Sequence, residues 1–236
     1  MFEIENLCFH YATPDADNMC FDLSLAPGEV LSLIGPSGSG KTTLLNLVAG
    51  FLQAESGHIR IDGESIERLP VAGRPVSMVF QQHNLFPQLD LYTNVALGAD
   101  PSLKLSREQR ARIEDVLARL GLSGLEKRMP GELSGGQRQR VALARAMLRQ
   151  CRVLLLDEAF AALGPALREE LIILVKTLVQ QEGMAALLVS HQPRDALIAS
   201  ARTAFVHQGR IISVESTATL LGQSDLPEVR EYLGST

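Results

Sequence analysis

Gly35-Pro36-Ser37-Gly38-Ser39-Gly40-Lys41-Thr42 has the residue types and spacing of a loop built to hold a polyphosphate. Its glycines let consecutive backbone N–H groups turn inward, and a helix starting behind it would add a positive dipole end. Lys41 can reach β- and γ-phosphate oxygens, and the Thr42 hydroxyl can ligate Mg²⁺. A pair of carboxylates, Asp157-Glu158, closes the apolar run Val153-Leu154-Leu155-Leu156. An acidic residue at such a strand end holds Mg²⁺ in phosphate-loop hydrolases, and a Glu directly after it can take a proton from an attacking water. Alone, the pair also reads as acidic residues that favour a helix start.

Leu133-Ser134-Gly135-Gly136-Gln137 sets a capping serine and paired glycines at a helix start, which makes a second anion site. Two such sites but one lysine-bearing loop point to a second site that serves a nucleotide bound elsewhere; a plain N-cap is the alternative. His191 follows Leu187-Leu188-Val189-Ser190, and Gln81 follows the run Val76 to Phe80. Both would stand at carboxyl ends of parallel strands, where open α/β sheets place their ligand sites.

The elements that position these residues are legible around them. Val30 to Ile34 is a short apolar strand, and Thr43 to Ala49 is a helix stopped by Gly50. Ile59-Arg60-Ile61 closes on Asp62-Gly63, and Gln208-Gly209 separates Thr203–Val206 from Arg210–Ser213, so both predict hairpins. Ser106 to Gln109 and Ser134 to Gln137 fit capping boxes that open helices, the first running to Gly121 and the second to about Arg149. Pro165 suits the first turn of a further helix, and Ala185 to Val189 is another buried strand. Strand–helix alternation with near-continuous apolar strands predicts an α/β fold whose mostly parallel sheet is covered on both faces. A mainly helical insert, about 84–150, interrupts that core, which comprises 1–83 and 151–236.

Bulk properties set limits. A chain of 236 residues can bury a sizeable core. A net charge of -5 argues against a general nucleic-acid binder. Twelve of the 22 Lys and Arg residues nevertheless fall between Lys104 and Arg152, which reads as a solvated helical surface. Cys8, Cys20 and Cys151 stand apart with no paired spacing, so neither a zinc site nor a disulfide is expected, and a reducing compartment is. The first residues lack the pattern of a signal peptide, and no apolar run is long enough to span a bilayer. Membrane association would then come through another protein.

Taken together, Gly35 to Thr42, Leu133 to Gln137 and Leu154-Leu155-Leu156-Asp157-Glu158 resemble the ATP-binding cassette (ABC) family, specifically the single-domain ATPase subunits of bacterial importers. Asn46 to Phe51, Arg74 to Gln81 and Pro130 to Leu133 are similar to the ATPases of thiamine importers. The resemblance implies a P-loop NTPase (RecA-like) core with an N-terminal antiparallel β subdomain and a helical subdomain insert. It implies ATP and Mg²⁺ as cofactors. Tyr11 would stack on adenine, and Gly35 to Thr43, with Pro36, Ser37, Gly38, Ser39, Gly40 and Lys41 between them, would wrap the phosphates. Thr42, Gln81 and Asp157 would surround Mg²⁺. Glu158 would be the general base, and His191 would contact the γ-phosphate. Ser134, Gly135, Gly136 and Gln137 would close over ATP bound to a second copy, giving a head-to-tail homodimer. Leu85, Phe86 and Pro87 would receive integral-membrane permease subunits, with a periplasmic solute-binding protein as an indirect partner. The location implied is peripheral, on the cytoplasmic side of the inner membrane. The solute would be thiamine, the alternatives being ferric iron, a polyamine or an oxyanion; a non-transport cassette ATPase is a more distant reading.

The family usually carries Asp-Glu-Pro followed by Ser-Ala-Leu-Asp-Pro, whereas this chain reads Asp157-Glu158-Ala159-Phe160-Ala161-Ala162-Leu163-Gly164-Pro165. Gly164 replaces an aspartate that reaches across the dimer, and Ala161 replaces a serine. The expectation is a slower or less tightly coupled ATPase, not an inactive one.

Overall fold

A computed structural model describes residues 1–12, 18–80, 84–149 and 151–234. Ten strands form one sheet among them: β1 (Phe2–Phe9), β2 (Met19–Leu25), β3 (Val30–Ile34), β4 (Ser56–Ile61), β5 (Glu64–Ser65), β6 (Val76–Phe80), β7 (Val153–Asp157), β8 (Ala185–Val189), β9 (Arg202–His207) and β10 (Arg210–Ser216). Their order is β5-β4-β1-β2-β10-β9-β3-β8-β7-β6. From β9 to β6 every neighbouring pair is parallel. The flank built from β1, β2, β4 and β5 is antiparallel, as is the β9–β10 hairpin.

The strands of the parallel half are apolar throughout because both of their faces are covered. Alternate side chains go opposite ways: Leu154 and Leu156 join one core, Val153 and Leu155 the other. The first core packs the sheet against α2 (Leu91–Ala99), α3 (Arg107–Arg119), α4 (Gly135–Leu148) and α5 (Pro165–Glu182). The second packs it against α1 (Lys41–Ala49) and the antiparallel strands. Three shorter helices, α6 (Pro193–Ala199), α7 (Thr217–Gly222) and α8 (Pro227–Leu233), gather around Ile34 and Phe205.

Local chemistry explains most of the element ends. Both hairpin turns place two residues at positive φ, Asp62 (52°) with Gly63 (83°) and Gln208 (44°) with Gly209 (72°), the twist that two-residue hairpins require. Both capping boxes form, at Ser106/Gln109 and at Ser134/Gln137. Gly50 ends α1 in the left-handed conformation. Arg74 is buried and donates to the carbonyls of Leu47 and Val48, at the end of α1, and to those of Glu67 and Leu69. Gly98 lets α2 approach α4, since a Cβ there would lie 2.1 Å from the Arg145 carbonyl oxygen.

One expectation fails. Cys8 and Cys20 are register partners on adjacent antiparallel strands and form a disulfide, leaving Cys151 free and buried. The two are 12 positions apart, with no spacing motif to announce them; the β1–β2 pairing alone sets them opposite each other. The argument for a reducing compartment from isolated cysteines therefore loses its basis. Among the described residues, no helix is long and apolar enough to cross a membrane.

Candidate active site

The parallel strands deliver their carboxyl ends to one level. Leu33 and Asp157 both register with Val189, and Phe80 registers with Asp157. Gly35, Glu158 and Ser190-His191 leave the sheet at that edge, as open α/β sheets arrange their ligand crevices. Gln81 would follow β6 at the same edge, but it lies outside the described residues.

Between β3 and α1 the phosphate loop is shaped by its glycines. Gly35 has φ 145°, and a Cβ on it would sit 2.1 Å from the Val206 carbonyl oxygen, so no other residue fits. Gly40 has φ 103° and serves as N-cap of α1 without a side-chain cap, which leaves the first N–H groups of the helix free of a competing hydroxyl. Pro36, Ser37 and Gly38 form the outward turn, and a Cβ at Gly38 would meet nothing. Lys41 is buried, its ammonium donating to the carbonyls of Gly35 (2.8 Å) and Pro36 (2.7 Å) and to Ser39 Oγ (3.2 Å). Burial pushes its pKa down, while the nearby Glu158 and Asp157 carboxylates act the other way. Beside the loop, the Tyr11 hydroxyl shares a 3.0 Å hydrogen bond with Thr43 Oγ1, and its ring, 39% exposed, stands edge-on to Phe9.

The Thr42 hydroxyl donates to Asp157 Oδ1 at 3.2 Å. Burial raises the Asp157 pKa, opposed by that hydrogen bond. A hydroxyl and a carboxylate side by side at the foot of a phosphate cradle are hard oxygen donors of the kind Mg²⁺ takes, with nucleotide oxygens and water filling its octahedron. The residues present therefore fit Mg²⁺ as well as a triphosphate.

One residue on, Glu158 has φ 48°, uncommon for a non-glycine residue, and its N–H donates to the Val189 carbonyl at 3.2 Å. Its Oε1 lies 2.6 Å from His191 Nε2. Glu158 and His191 line a cavity together with Phe160, Arg168 and Asp195. Ser190 Oγ donates to Asp195 Oδ2 at 2.6 Å and accepts the N–H of Gln192 at 3.0 Å, so a buried pair anchors the turn that presents His191. The Arg168 guanidinium donates to the carbonyls of Phe160 (3.1 Å), Ala161 (2.6 Å) and Leu163 (3.3 Å).

Ser134 to Gln137 form the start of another helix. Ser134 Oγ accepts from the Gln137 N–H, and the Gln137 side chain accepts from the Ser134 N–H, which opens α4 with its N-terminus presented at the surface. Gly136 packs against the helix after β7, a Cβ there meeting Leu167 at 2.4 Å. Within one chain the phosphate loop, Asp157, Glu158 and His191 thus converge, while none of these hydrogen bonds of Ser134 and Gln137 reaches them.

Arg168, Ser190 and Asp195 were not anticipated from the sequence. Arg168 is one arginine among many on amphipathic helices. Asp195 stands four positions past His191 in the first turn of a helix opened by Pro193, where an acidic residue reads as a response to the helix dipole.

Comparison with known proteins shows the family. The family model described as "ABC transporter" matches residues 19–161. The thiamine import ATP-binding protein ThiQ of Brucella abortus biovar 1 (strain 9-941) is 49% identical over 216 residues, covering 92% of this chain and 90% of that protein. The protein of the same name from Chelativorans sp. (strain BNC1) is 47% identical over 232 residues, covering 98% and 94%. Among solved structures, cbiO1 from Clostridium perfringens, part of the ABC transporter complex cbiONQ, superposes with a TM-score of 0.85 at 26% identity, covering 94% of this chain and 90% of that one. The dimeric post-hydrolysis state of the ATP-binding cassette MJ0796, bound to ADP and Pi, gives a TM-score of 0.78 at 28% identity, covering 92% and 99%.

Proposed function

The chain belongs to the ABC transporter family and is an ABC-type ATPase, and on that premise we propose that it energises the import of thiamine through a membrane permease. The observation that carries the catalytic half is the convergence, at one sheet edge, of the Lys41 cradle, the Thr42–Asp157 pair and the Glu158–His191 pair. The solute rests on the names of relatives that match nearly end to end.

In this reading ATP lays its adenine on Tyr11 and its phosphates over the N–H groups of Gly35 to Thr43. Lys41 exchanges its loop carbonyls for β- and γ-phosphate oxygens. Mg²⁺, held by Thr42, Asp157 and Gln81, supplies charge neutralisation at those oxygens when bound. Glu158 accepts the proton of a water aligned with the γ-phosphorus as the new P–O bond forms. The bond from the γ-phosphorus to the bridging oxygen breaks, and that oxygen leaves with ADP. His191 Nε2–H orients the Glu158 carboxylate in the nucleotide-free chain and would turn its single N–H to the γ-phosphate once ATP is bound.

The Ser134 to Gln137 turn would close over the ATP of a second copy, so that nucleotide joins two chains head to tail and its hydrolysis releases them. Phosphate charge is what the two positive surfaces share; once it departs they have nothing to hold in common. Leu85, Phe86 and Pro87 would meet the permease. Buried Asn94 supports this role by binding the Phe86 N–H and the carbonyls of Phe86, Leu89 and Asp90, which fixes the shape of that loop. The assembly would sit peripherally on the cytoplasmic side of the inner membrane, fed by a periplasmic solute-binding protein.

The deciding experiment reconstitutes the ATPase with its permease and adds binding protein. Stimulation of ATP hydrolysis by thiamine-loaded binding protein is expected. Stimulation only by ferric iron, a polyamine or an oxyanion would replace thiamine with that solute.

A further inference from the structure

We propose that Arg168 is a positioning residue for ATP hydrolysis, holding the loop that carries Glu158 through three backbone carbonyls. The inference rests on the reading of Glu158 as general base and adds a residue to that machinery.

The loop from Ala159 to Gly164 contains no polar side chain. Its own backbone supplies two turns, with the Ala161 N–H donating to the Glu158 carbonyl at 3.0 Å and the Leu163 N–H to the Phe160 carbonyl at 3.1 Å. The carbonyls of Phe160, Ala161 and Leu163 then face inward, and the Arg168 guanidinium meets all three. Arg168 is only 8% exposed and makes no ion pair within 4 Å among the described residues, so its hydrogen bonds go to these backbone carbonyls. A buried guanidinium in such a place is costly to lose, because the Ala161 and Leu163 carbonyls would lose the donor that satisfies them, while the Phe160 carbonyl would keep only the Leu163 N–H.

The arrangement matters for chemistry because Glu158 itself has φ 48°. A non-glycine residue keeps that conformation only while its surroundings over-determine it. Val189 holds Glu158 from the strand side, and the Arg168-bound loop holds it from the other. Arg168, Glu158 and His191 also line the same cavity. Lysine cannot substitute, since a point ammonium on a flexible stem does not reproduce a planar fork over three acceptors. A shift of about 1 Å in a catalytic group costs about 100-fold in rate. The phosphate loop, by contrast, makes no contact with Arg168 in the hydrogen bonds of either, so nucleotide binding is separable from this effect.

The test uses the full-length protein with Arg168→Ala, Arg168→Lys and, in parallel, Glu158→Gln. Binding stoichiometry and Kd are measured with a fluorescent ATP analogue, and MgATP turnover is expressed per nucleotide bound. Arg168→Ala is expected to bind one nucleotide per chain with Kd within about twofold, while kcat falls about 10- to 100-fold. Arg168→Lys is expected to restore less than a third of the loss, and guanidinium ion at millimolar concentration to raise Arg168→Ala turnover several-fold. A kcat within twofold of the unsubstituted protein for either variant would overturn the proposal, as would a binding stoichiometry that falls in step with kcat in both. If Glu158→Gln kept full turnover, the general-base reading would fail first and this inference with it; if Glu158→Gln is inactive and Arg168→Ala is not, only the role of Arg168 falls.

Discussion

His191 Nε2 and Glu158 Oε1 lie 2.6 Å apart at the ends of two neighbouring parallel strands. Two groups so joined act as a unit. Glu158→Gln is expected to lower turnover by about 10²- to 10⁴-fold with ATP binding retained, the range a general base contributes. His191→Ala should lose a comparable factor, and the double substitution should be no slower than the slower single one by more than a few-fold, since members of one unit are not additive. Steady-state hydrolysis of the three variants checks this; fully multiplicative losses would separate the pair.

Gly164 is N-cap of α5 with φ -63° and ψ 155°, a conformation open to any residue, and a Cβ there would meet nothing within 4 Å. Gly164→Asp is therefore accommodated without strain. It should add a few tenths of a kcal/mol by capping α5. Its larger effect should appear in transport-coupled turnover with the permease, by restoring a carboxylate that can reach across the dimer; unchanged coupling would show that the position is silent in this chain.

At the crossing of α2 and α4, Gly98→Ala would drive a methyl group to 2.1 Å from the Arg145 carbonyl oxygen. Overpacking of that kind costs about 1–3 kcal/mol. With about 2–4 °C lost per kcal/mol in a domain of this size, thermal unfolding should detect it readily. The helices that present Ser134 and the Phe86 loop would shift with it, so turnover supported by the permease should fall more than intrinsic ATP binding.

Glu67, just past the β4–β5 hairpin, has a pKa lowered to about 2. Burial alone would raise it, but hydrogen bonds from Ser65, His58 and the Ile59 N–H to its carboxylate outweigh burial. A depressed carboxylate contributes stability above its ordinary pKa of about 4.3 and loses that contribution as pH falls toward 2. Glu67→Gln should thus be less stable by about 1–2 kcal/mol at pH 7. The difference from the unsubstituted protein should shrink between about pH 4.3 and 2 in denaturant titrations. A difference independent of pH would assign the effect to packing.

What could be read in advance was local. The phosphate loop, both positive-φ hairpin turns and both capping boxes are written in stretches of a few residues, each with one physical solution. The placement of Glu158 and His191 followed from strand ends, because parallel strands in register must finish together. Contacts set by distant pairing could not be read. Cys8 meets Cys20 only because β1 and β2 are neighbours; Arg168 reaches carbonyls only five to eight positions back, but no residue type in that apolar loop announces them. The three short helices after β8 carry too few turns for a periodic signal, and what defines them is their packing around Phe205.

One guanidinium clasps the far end of α1 and the chain just ahead of β6, since Arg74 reaches both. The rod behind the triphosphate cradle and the ribbon that leads to Gln81 are in this way fastened at their rear. Two segments that meet the site from different sides thus share one side chain as their common fastening.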